Sequence, residues 1–353
     1  MTVVLKPRPL DGPGEGRDGR SMTGEVEAAL RRRVEEAFGA GARLARASLL
    51  AGGASMEAWS VDVETPRGPL ALLFRRAAGG RIYRDALALS DELLILQAAF
   101  EAGVLAPRPY RHFADVAGRE AFAMERLAGE TVGRRIVQKP ELADARAALP
   151  AQMAEQLARI HALDPERVEF LPGARDESPL RRSLDTLEAQ LDAVGEPHPA
   201  IELGLLRLRR ELPRDGRRVV CHGDFRIGNL MVGPAGLIGV LDWEFAHVGD
   251  PREDLAWPMV RAWRFGRDRL RLGGIAQPEP FLEAYAQRTG LRVSLQELAI
   301  FELLGNVRWA IGALTQARRH LAREERSVEL AVLGRLAAEV EHEILSLLDD
   351  GGT

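Results

Sequence analysis

Hydrophobic residues alternate with polar ones along three short stretches near the start of the chain. The stretches Leu44 to Leu50, Met56 to Glu64 and Leu70 to Phe74 have the two-residue period of half-buried strands. The letters TPRG at 65–68 supply a turn between the second and the third stretch. This pattern predicts a small antiparallel sheet.

Helical periods surround the sheet and dominate the rest of the chain. Apolar residues recur every three or four positions from Glu25 to Phe38, and again from about Asp85 to Ala102. A further strand is predicted at 120–124. Beyond it, helical patterns occur in the regions 153–160, 281–285, 298–321 and 333–347. The sequence therefore predicts a mixed α+β protein with a mainly helical second part.

Polar residues flank a second hairpin pattern. Residues 221–229 read CHGDFRIGN, and residues 230–241 continue as an apolar run, a GPAG turn and a second apolar run. A hairpin of this length brings Asn229 and Asp242 side by side, with Asp224 facing the same space. Two metal-binding oxygens and a separate carboxylate are what phosphoryl transfer from a nucleotide requires. We therefore assign Asp224 as the base and Asn229 and Asp242 as Mg²⁺ ligands.

These motifs resemble those of a known family. The letters HGD at 222–224, then Asn229, Asp242 and the run GDPREDLA at 249–256, are similar to the catalytic and metal loops of the aminoglycoside phosphotransferases. Choline, fructosamine and homoserine kinases are relatives of that family. The letters HGDFRIGN are especially similar to the kinase-like domains fused to some acyl-CoA dehydrogenases. The resemblance implies an α+β, bilobed protein-kinase-like fold, with one long helix in the small antiparallel-sheet lobe and a larger, mainly helical second lobe.

The resemblance also implies where the lobes begin and end. The letters MERL at 124–127 resemble the hinge of the family, and the backbone at Glu125 is expected to pair with the adenine edge. We expect a mobile tail over residues 1–22 and a nucleotide-binding lobe over residues 23–126. The catalytic loop, metal site and acceptor pocket are then expected in a lobe over residues 127–353.

The phosphate-binding residues are implied by the same resemblance. Gly52, Gly53 and Ser55 lie where the kinase fold places its phosphate-covering loop, although a plain hairpin turn is the alternative interpretation. Arg75 takes the place of the phosphate-binding lysine of kinases, because the N-terminal strands contain no lysine. Arg226 is placed two residues after the base, where it could reach the transferred phosphoryl group.

Glu92 falls on the apolar face of the second predicted helix, where an acid needs a partner. Arg75 is the candidate partner. Two alternatives stay open, namely that Glu92 lies at the edge of the apolar stripe in water and that Arg75 and Arg76 are a solvated pair. Because side chains alternate along a strand, Arg75 and Arg76 point to opposite faces, so one of the two is expected to be solvated.

Other polar residues near the motifs have mainly structural interpretations. His161 is expected to be a core or capping histidine, and His222 is expected to brace the catalytic loop through hydrogen bonds. Asp250 and Asp254 are expected to cap and anchor the helix that follows them. Glu244 is a weaker candidate for contact with the metal or the acceptor.

Composition narrows the class of partner. A formal charge of −4 gives no reason to expect nucleic acid. No uninterrupted apolar run reaches ~18 residues, and the N-terminus lacks the apolar core of a signal peptide, so we expect no membrane partner. A single cysteine, Cys221, fits a reducing cytoplasm. The expected cofactors are ATP or GTP with Mg²⁺, and the expected acceptor is a small-molecule alcohol.

The identity of the acceptor is open at this level. Residues 258–275 contain five arginines and one acid, Asp268, which argues against a polycationic antibiotic and for a neutral or anionic alcohol. A hydroxyacyl-CoA, another hydroxylated metabolite and a macrolide-like alcohol are all compatible. Trp257, Trp263 and Trp309 are candidates for lining the acceptor pocket, although aromatic residues at helical spacing more often belong to a core.

Two other functions compete with phosphotransfer. A kinase-like fold that had lost catalysis would be a nucleotide-binding interaction module, which the presence of Asp224, Asn229 and Asp242 disfavours. A metal-dependent hydrolase would use His222, Asp224 and Asp242 as ligands. That hydrolase interpretation leaves Asn229 and the N-terminal strands unexplained.

The proposed pairing of Arg75 with Glu92 gives a first test. Arg75→Ala and Glu92→Ala should each weaken nucleotide binding or turnover, because either change breaks the same phosphate-binding unit. The two losses should be markedly less than additive in the double variant. Mg-ATP affinity and turnover are measured for the four proteins. If Arg76→Ala weakened Mg-ATP binding or turnover and Arg75→Ala did not, the predicted register of the third strand would be wrong by one residue.

Overall fold

The computed structural model describes residues 17–52, 56–77, 86–214, 216–324 and 328–350. By its internal contacts the chain divides into two compact units. The first unit comprises Met1–Gly79 and Arg111–Ala123, and the second comprises Gly80–Tyr110 and Met124–Thr353. The second helix of the chain thus groups with the second unit.

A five-stranded sheet is the main feature of the first unit. Its strands are β1 (Arg43–Gly52), β2 (Met56–Thr65), β3 (Gly68–Ala77), β4 (Pro109–Phe113) and β5 (Ala121–Glu125), in the order β1-β2-β3-β5-β4. The pairs β1–β2 and β2–β3 are antiparallel, as the alternation predicts.

One helix, α1 (Arg17–Phe38), packs on this sheet. Its apolar stripe of Val26, Leu30 and Val34 is buried, and so are Trp59 and Phe74 of the central strands. Burial of such large side chains supplies most of the stabilisation of a small unit. The helix begins at Arg17, before residue 22, at which the predicted tail ends.

Arg76 is buried in the first unit, so it is not the member of the Arg75–Arg76 pair that could be solvated. It is 3% exposed, and its Nη1 atom donates to Glu57 Oε2 at 2.8 Å. Its Nε and Nη2 atoms donate to the carbonyl oxygens of Val116 and Ala117 at 2.7 and 2.8 Å. Because alternate residues face opposite sides of a strand, Arg75 is on the other face, where it is half-buried.

The second unit is mainly helical. Its helices are α2 (Leu89–Glu101), α3 (Gly133–Gln138), α4 (Ala143–His161), α5 (Pro179–Val194), α6 (Pro199–Glu211), α7 (Pro251–Ala256), α8 (Pro278–Thr289), α9 (Leu295–Leu321) and α10 (Val328–Asp350). Four short strands accompany them, namely β6 (Val219–Cys221), β7 (Leu230–Gly233), β8 (Gly236–Val240) and β9 (His247–Gly249). The long helix predicted from about Asp85 begins later, at Leu89.

The predicted hairpin is present as β7 and β8. Leu230 pairs with Val240 and Gly233 pairs with Gly236 in an antiparallel ladder. A second antiparallel pair, β6–β9, joins the strand before the catalytic loop to the strand before α7. Residues 222–229 therefore follow the end of β6, and Asp242 follows the end of β8.

Helix α9 is long and apolar enough by length and composition to span a membrane, yet 67% of its most apolar window is buried inside the protein. It packs against α5, α6, α7 and α10. Its buried face also carries Glu302, which pairs with Arg264 and Arg271, and Asn306 and Gln316, each of which makes one side-chain hydrogen bond within the protein. These polar residues interrupt the apolar sequence of α9, which therefore contains no continuous apolar run of membrane-spanning length.

The buried position of Arg76 generates a prediction about stability. Arg76→Ala should lower the free energy of unfolding by roughly 2–4 kcal/mol, because the half-buried Glu57 would lose its counter-ion and two carbonyl oxygens would lose their donors. Urea-induced unfolding of the wild type and the variant measures the difference. Arg46→Ala, which removes an exposed arginine from β1 of the same sheet, is the matched control and should stay within about 0.5 kcal/mol. Equal stability of Arg76→Ala and Arg46→Ala would contradict the structural role.

Candidate active site

A buried carboxylate, Asp254, fastens the start of the loop that carries Asp224. Its Oδ2 atom accepts a hydrogen bond from the backbone N–H of His222 at 2.6 Å, and its Oδ1 atom accepts one from Gly223 at 2.9 Å. Asp254 lies in α7, whose first turn is closed by a capping box formed by Asp250. The prediction of a capping role is confirmed for Asp250, whereas Asp254 binds the loop.

His161 and Tyr285 complete the surroundings of Asp254. His161 Nε2 lies 3.2 Å from Asp254 Oδ2, and His161 Nδ1 lies 2.7 Å from the Tyr285 hydroxyl. Burial alone would raise the pKa of Asp254, but the hydrogen bonds from His161 and the backbone outweigh it and lower the pKa from 3.8 to about 2. His161 is therefore the buried core histidine that the sequence predicts.

His222 is buried and uses both ring nitrogens on the backbone. Its Nε2 atom donates to the carbonyl oxygen of Leu241 at 3.1 Å, and its Nδ1 atom accepts from the N–H of Asp224 at 3.3 Å. Burial lowers the pKa of His222, which favours the neutral ring. The bracing role predicted for His222 is confirmed. Because both nitrogens are occupied, the ligand set of the hydrolase alternative is not available.

Three side chains hold the carboxylate of Asp224. Trp257 Nε1 donates to Oδ1 at 2.7 Å, and Asn229 Nδ2 donates to Oδ2 at 2.5 Å. Arg226 Nε donates to Oδ1 at 3.0 Å. Burial raises the pKa of Asp224 above its ordinary value, although the Arg226 charge opposes the shift. The result is an oriented carboxylate with increased basicity, which suits general-base chemistry.

Arg226 lies between this carboxylate and an indole ring. Its guanidinium carbon is 4.4 Å from the centroid of the Trp263 ring, within the range of a cation–π interaction. Gly228 leaves the necessary space, since a Cβ atom at that position would lie 2.3 Å from Arg226 Nη1. A side chain at position 228 would therefore displace the end of the Arg226 side chain from its present place.

Asn229 and Asp242 meet at the end of the hairpin, as predicted. The N–H of Leu241 donates to the carbonyl oxygen of Asn229 at 2.8 Å, so Leu241 lies opposite Asn229 and Asp242 follows it at the same end of the hairpin. Asn229 uses its amide N–H group on Asp224, and its Oδ1 atom accepts no hydrogen bond from any residue that the structure describes. Asp242 has a φ of 66°, a left-handed conformation that aspartate tolerates better than most residues.

A cavity of about 300 Å³ opens beside these groups, at the lower end of the range for small-molecule sites. Asp224 and Arg226 contribute to its lining from the loop after β6, and Asp242 and Glu244 contribute from the loop after β8. Arg308 reaches the same cavity from α9. Charged groups of both signs therefore face one space.

Three tryptophans form an aromatic wall in the cavity. The ring centroids of Trp257 and Trp263 are 5.6 Å apart, and those of Trp263 and Trp309 are 6.3 Å apart. All three indoles line the cavity, whereas its identity as the acceptor pocket stays a prediction. The alternative interpretation, in which they belong only to a helical core, does not hold.

Residues 46–301 match the sequence model of the phosphotransferase enzyme family (APH). The chain belongs to this family. Acyl-CoA dehydrogenase family member 11 of chicken (Gallus gallus) is 26% identical over 319 residues, covering 84% of this chain and 39% of the relative. The chain therefore spans about two fifths of that relative's length.

Solved structures of phosphotransferases share the fold. A putative aminoglycoside phosphotransferase from Ralstonia eutropha is 19% identical with a TM-score of 0.70, covering 92% of this chain and 98% of that chain. Spectinomycin phosphotransferase, solved in complex with ADP and spectinomycin, is 14% identical with a TM-score of 0.60, covering 90% and 98%. These similarities confirm the predicted α+β, kinase-like fold.

The arginines of residues 258–275 do not line the cavity of this phosphotransferase-family chain. Arg261 forms an ion pair with Asp268 at 3.1 Å, and Arg264 and Arg271 share the buried carboxylate of Glu302. These arginines therefore give no evidence about the charge of the acceptor, and its identity stays a prediction. An excess of arginine in a sequence window does not show which arginines face a cavity or which remain without a counter-ion.

The residues that the family resemblance assigns to the nucleotide are Gly52, Gly53, Ser55, Arg75, Glu92 and Glu125. Gly53 and Ser55 lie outside the described residues, and Gly52 is the last residue of β1. Glu92 is 2% exposed on α2, so its predicted place on the apolar face is confirmed and the solvated alternative is wrong. The pairing of Arg75 with Glu92 and the roles of these residues stay predictions.

Sequence reasoning missed three contributions to the site. The binding of Asp254 to the loop backbone joins positions 31 and 32 residues apart, and nothing in the local pattern indicates it. Trp257 was identified as a pocket residue but not as a hydrogen-bond donor to Asp224. Arg308 lies inside a helical pattern and carries no motif. A buried indole N–H does need an acceptor, which was the one available signal for Trp257.

The lowered pKa of Asp254 generates a prediction about pH. Its folded pKa of about 2 against 3.8 corresponds to about 2 kcal/mol of stability. Because the folded pKa is depressed, this contribution is present above pH ~4 and is lost as the pH falls toward ~2. Asp254→Asn should be less stable at neutral pH, and its unfolding free energy should fall less steeply below pH ~4.

Urea unfolding at a series of pH values measures both effects. Asp192→Asn, which removes an exposed carboxylate from α5, is the matched control and should follow the wild-type curve. Parallel curves for wild type and Asp254→Asn would show that this charge contributes nothing to folding.

Proposed function

We propose that this chain transfers the γ-phosphoryl group of ATP or GTP to the hydroxyl of a small molecule. The observation that carries the proposal is the meeting of Asp224, Asn229 and Asp242 at one end of a hairpin beside a cavity. Membership of the phosphotransferase enzyme family supports the same reaction class. A cytoplasmic location belongs to the proposal and is consistent with Cys221, the single cysteine of the chain, being buried without a disulfide.

The donor set of the site fits Mg²⁺. Asn229 Oδ1 and the carboxylate of Asp242 are hard oxygen ligands, which this cation prefers. The hydrogen bond from Asn229 to Asp224 turns the amide so that its oxygen, rather than its nitrogen, is available. When bound, Mg²⁺ would supply positive charge that offsets the negative charge of the nucleotide's phosphates.

Asp224 acts on the acceptor in this proposal. Its carboxylate accepts the proton of the acceptor hydroxyl while that oxygen bonds to the γ-phosphorus and the bond to the leaving nucleoside diphosphate breaks. Trp257 and Asn229 hold the carboxylate in place through hydrogen bonds at 2.7 and 2.5 Å. Arg226 supplies a positive charge next to the reacting oxygens.

The decisive variant is Asp224→Asn, which keeps the shape of the side chain but cannot accept a proton. Acceptor phosphorylation should fall ~10²–10⁴-fold, while Mg-ATP affinity should stay within a few-fold of wild type. In the wild type, kcat/KM should fall as the pH drops through the raised pKa of Asp224, because the base must be ionised. Calorimetry measures Mg-ATP binding, and ADP release measures turnover with the best alcohol from a screen.

Asp242→Ala serves as the companion variant. It should abolish transfer and also reduce ATP affinity toward the value without Mg²⁺, because an anionic ligand is lost. A nucleotide-binding module without catalysis would release no ADP even in the wild type. Undiminished ADP release by Asp224→Asn would overturn the assignment of the base.

A further inference from the structure

One guanidinium in the cavity has no partner among the residues that the structure describes. Arg308 lines the cavity from α9, and neither a hydrogen bond nor an ion pair joins it to any of those residues. The two other arginines of the lining are engaged, Arg226 by Asp224 at 3.0 Å and Arg182 by Asp176 at 3.1 Å. Arg308 therefore contributes to the cavity wall a charge that no described residue pairs.

The acids around the cavity have other partners. Asp224 is held by Arg226 and by the indole of Trp257, and Asp242 and Glu244 each interact with other parts of the chain. Glu253 interacts with the charge of Arg308 over a longer distance, but it pairs with His247 at 3.4 Å. The positive charge of Arg308 thus remains for a ligand to neutralise.

The aromatic wall connects this charge to the base. Trp257 donates to Asp224, Trp263 lies 5.6 Å from Trp257, and Trp309 lies 6.3 Å from Trp263. Arg308 is the residue before Trp309 on α9. Indole faces favour an apolar portion of a ligand, whereas a planar guanidinium favours a carboxylate or a phosphate.

We propose that the acceptor is an amphipathic alcohol with an anionic group. Its hydroxyl lies at Asp224, its apolar segment lies along the three tryptophans, and its carboxylate or phosphate binds Arg308. This assignment rests on the proposed phosphotransfer, because the position of Asp224 is what places the hydroxyl. It identifies Arg308 as the residue that selects the charge of the acceptor.

Three alcohols of one chain length serve as probes. They are an ω-hydroxycarboxylate of medium chain length, the corresponding diol and the corresponding amino alcohol. Calorimetry measures the binding of each to the full chain without nucleotide, and ADP release in the presence of Mg-ATP measures turnover. The wild type should bind the hydroxycarboxylate about 10–100-fold more tightly than the diol, because hydrogen bonds to charged groups contribute about 1.5–3 kcal/mol. The amino alcohol should bind more weakly than the diol.

Arg308→Gln should abolish the preference for the hydroxycarboxylate while leaving the affinity for the diol unchanged. Arg308→Lys, which keeps the charge but loses the planar fork, should retain part of the preference. Arg261→Gln is the matched control, because it removes one positive charge outside the cavity lining. That control should keep the wild-type preference, which excludes an effect of net charge alone. Thermal unfolding of each variant verifies that it is folded.

The outcomes separate this inference from the proposed function. Binding of the hydroxycarboxylate that is undetectable, or no tighter than that of the diol, would overturn the anionic acceptor whether or not ADP is released. An unchanged preference in Arg308→Gln would overturn the role of Arg308. Arg308-dependent binding of the anion without ADP release from any alcohol would instead count against phosphotransfer and leave the anion site in place.

Discussion

The buried charge of Asp254 is the interaction on which the geometry of the active site depends. A carboxylate without exposure is stable only when donors compensate for the lost water, and here they are the backbone N–H groups of His222 and Gly223 and the ring of His161. If the catalytic loop separated from α7, the buried carboxylate of Asp254 would lose two hydrogen-bond donors. One electrostatic requirement therefore joins the loop to α7 and to the end of α4.

The residue that directly follows this short helix, Trp257, also orients the base. Asp254 and Trp257 are three residues apart and so lie on one side of a helical turn. Asp254 holds the backbone of the catalytic loop, and Trp257 holds the side chain of Asp224 at 2.7 Å. The loop after β6 also packs closely on the loop after β8. A Cβ atom at Gly223 would lie 2.1 Å from the carbonyl oxygen of Phe245. Backbone and side chain of the base are thus fixed by neighbouring residues.

The parts of the site that were predictable depend on local spacing. The hairpin length alone placed Asn229 beside Asp242, and the helical period alone placed Glu92 on a buried face. Strand alternation separated Arg75 from Arg76 but could not show that Arg76 meets Glu57 and two carbonyl oxygens in the first unit. Contacts between distant positions are set by packing, for which a single sequence contains no direct signal.

The charge of the cavity is the property that the single sequence predicted least well. Counting arginines in residues 258–275 suggested a basic pocket, yet Arg264 and Arg271 are paired with Glu302 and do not face the cavity. What a cavity offers a ligand is the charge that remains after the protein's own ion pairs are formed. That remainder lies on Arg308, which sits in a helix whose pattern reads as apolar core. Arg308 is half-buried at the wall of the cavity, where the proposed anionic group would neutralise its charge.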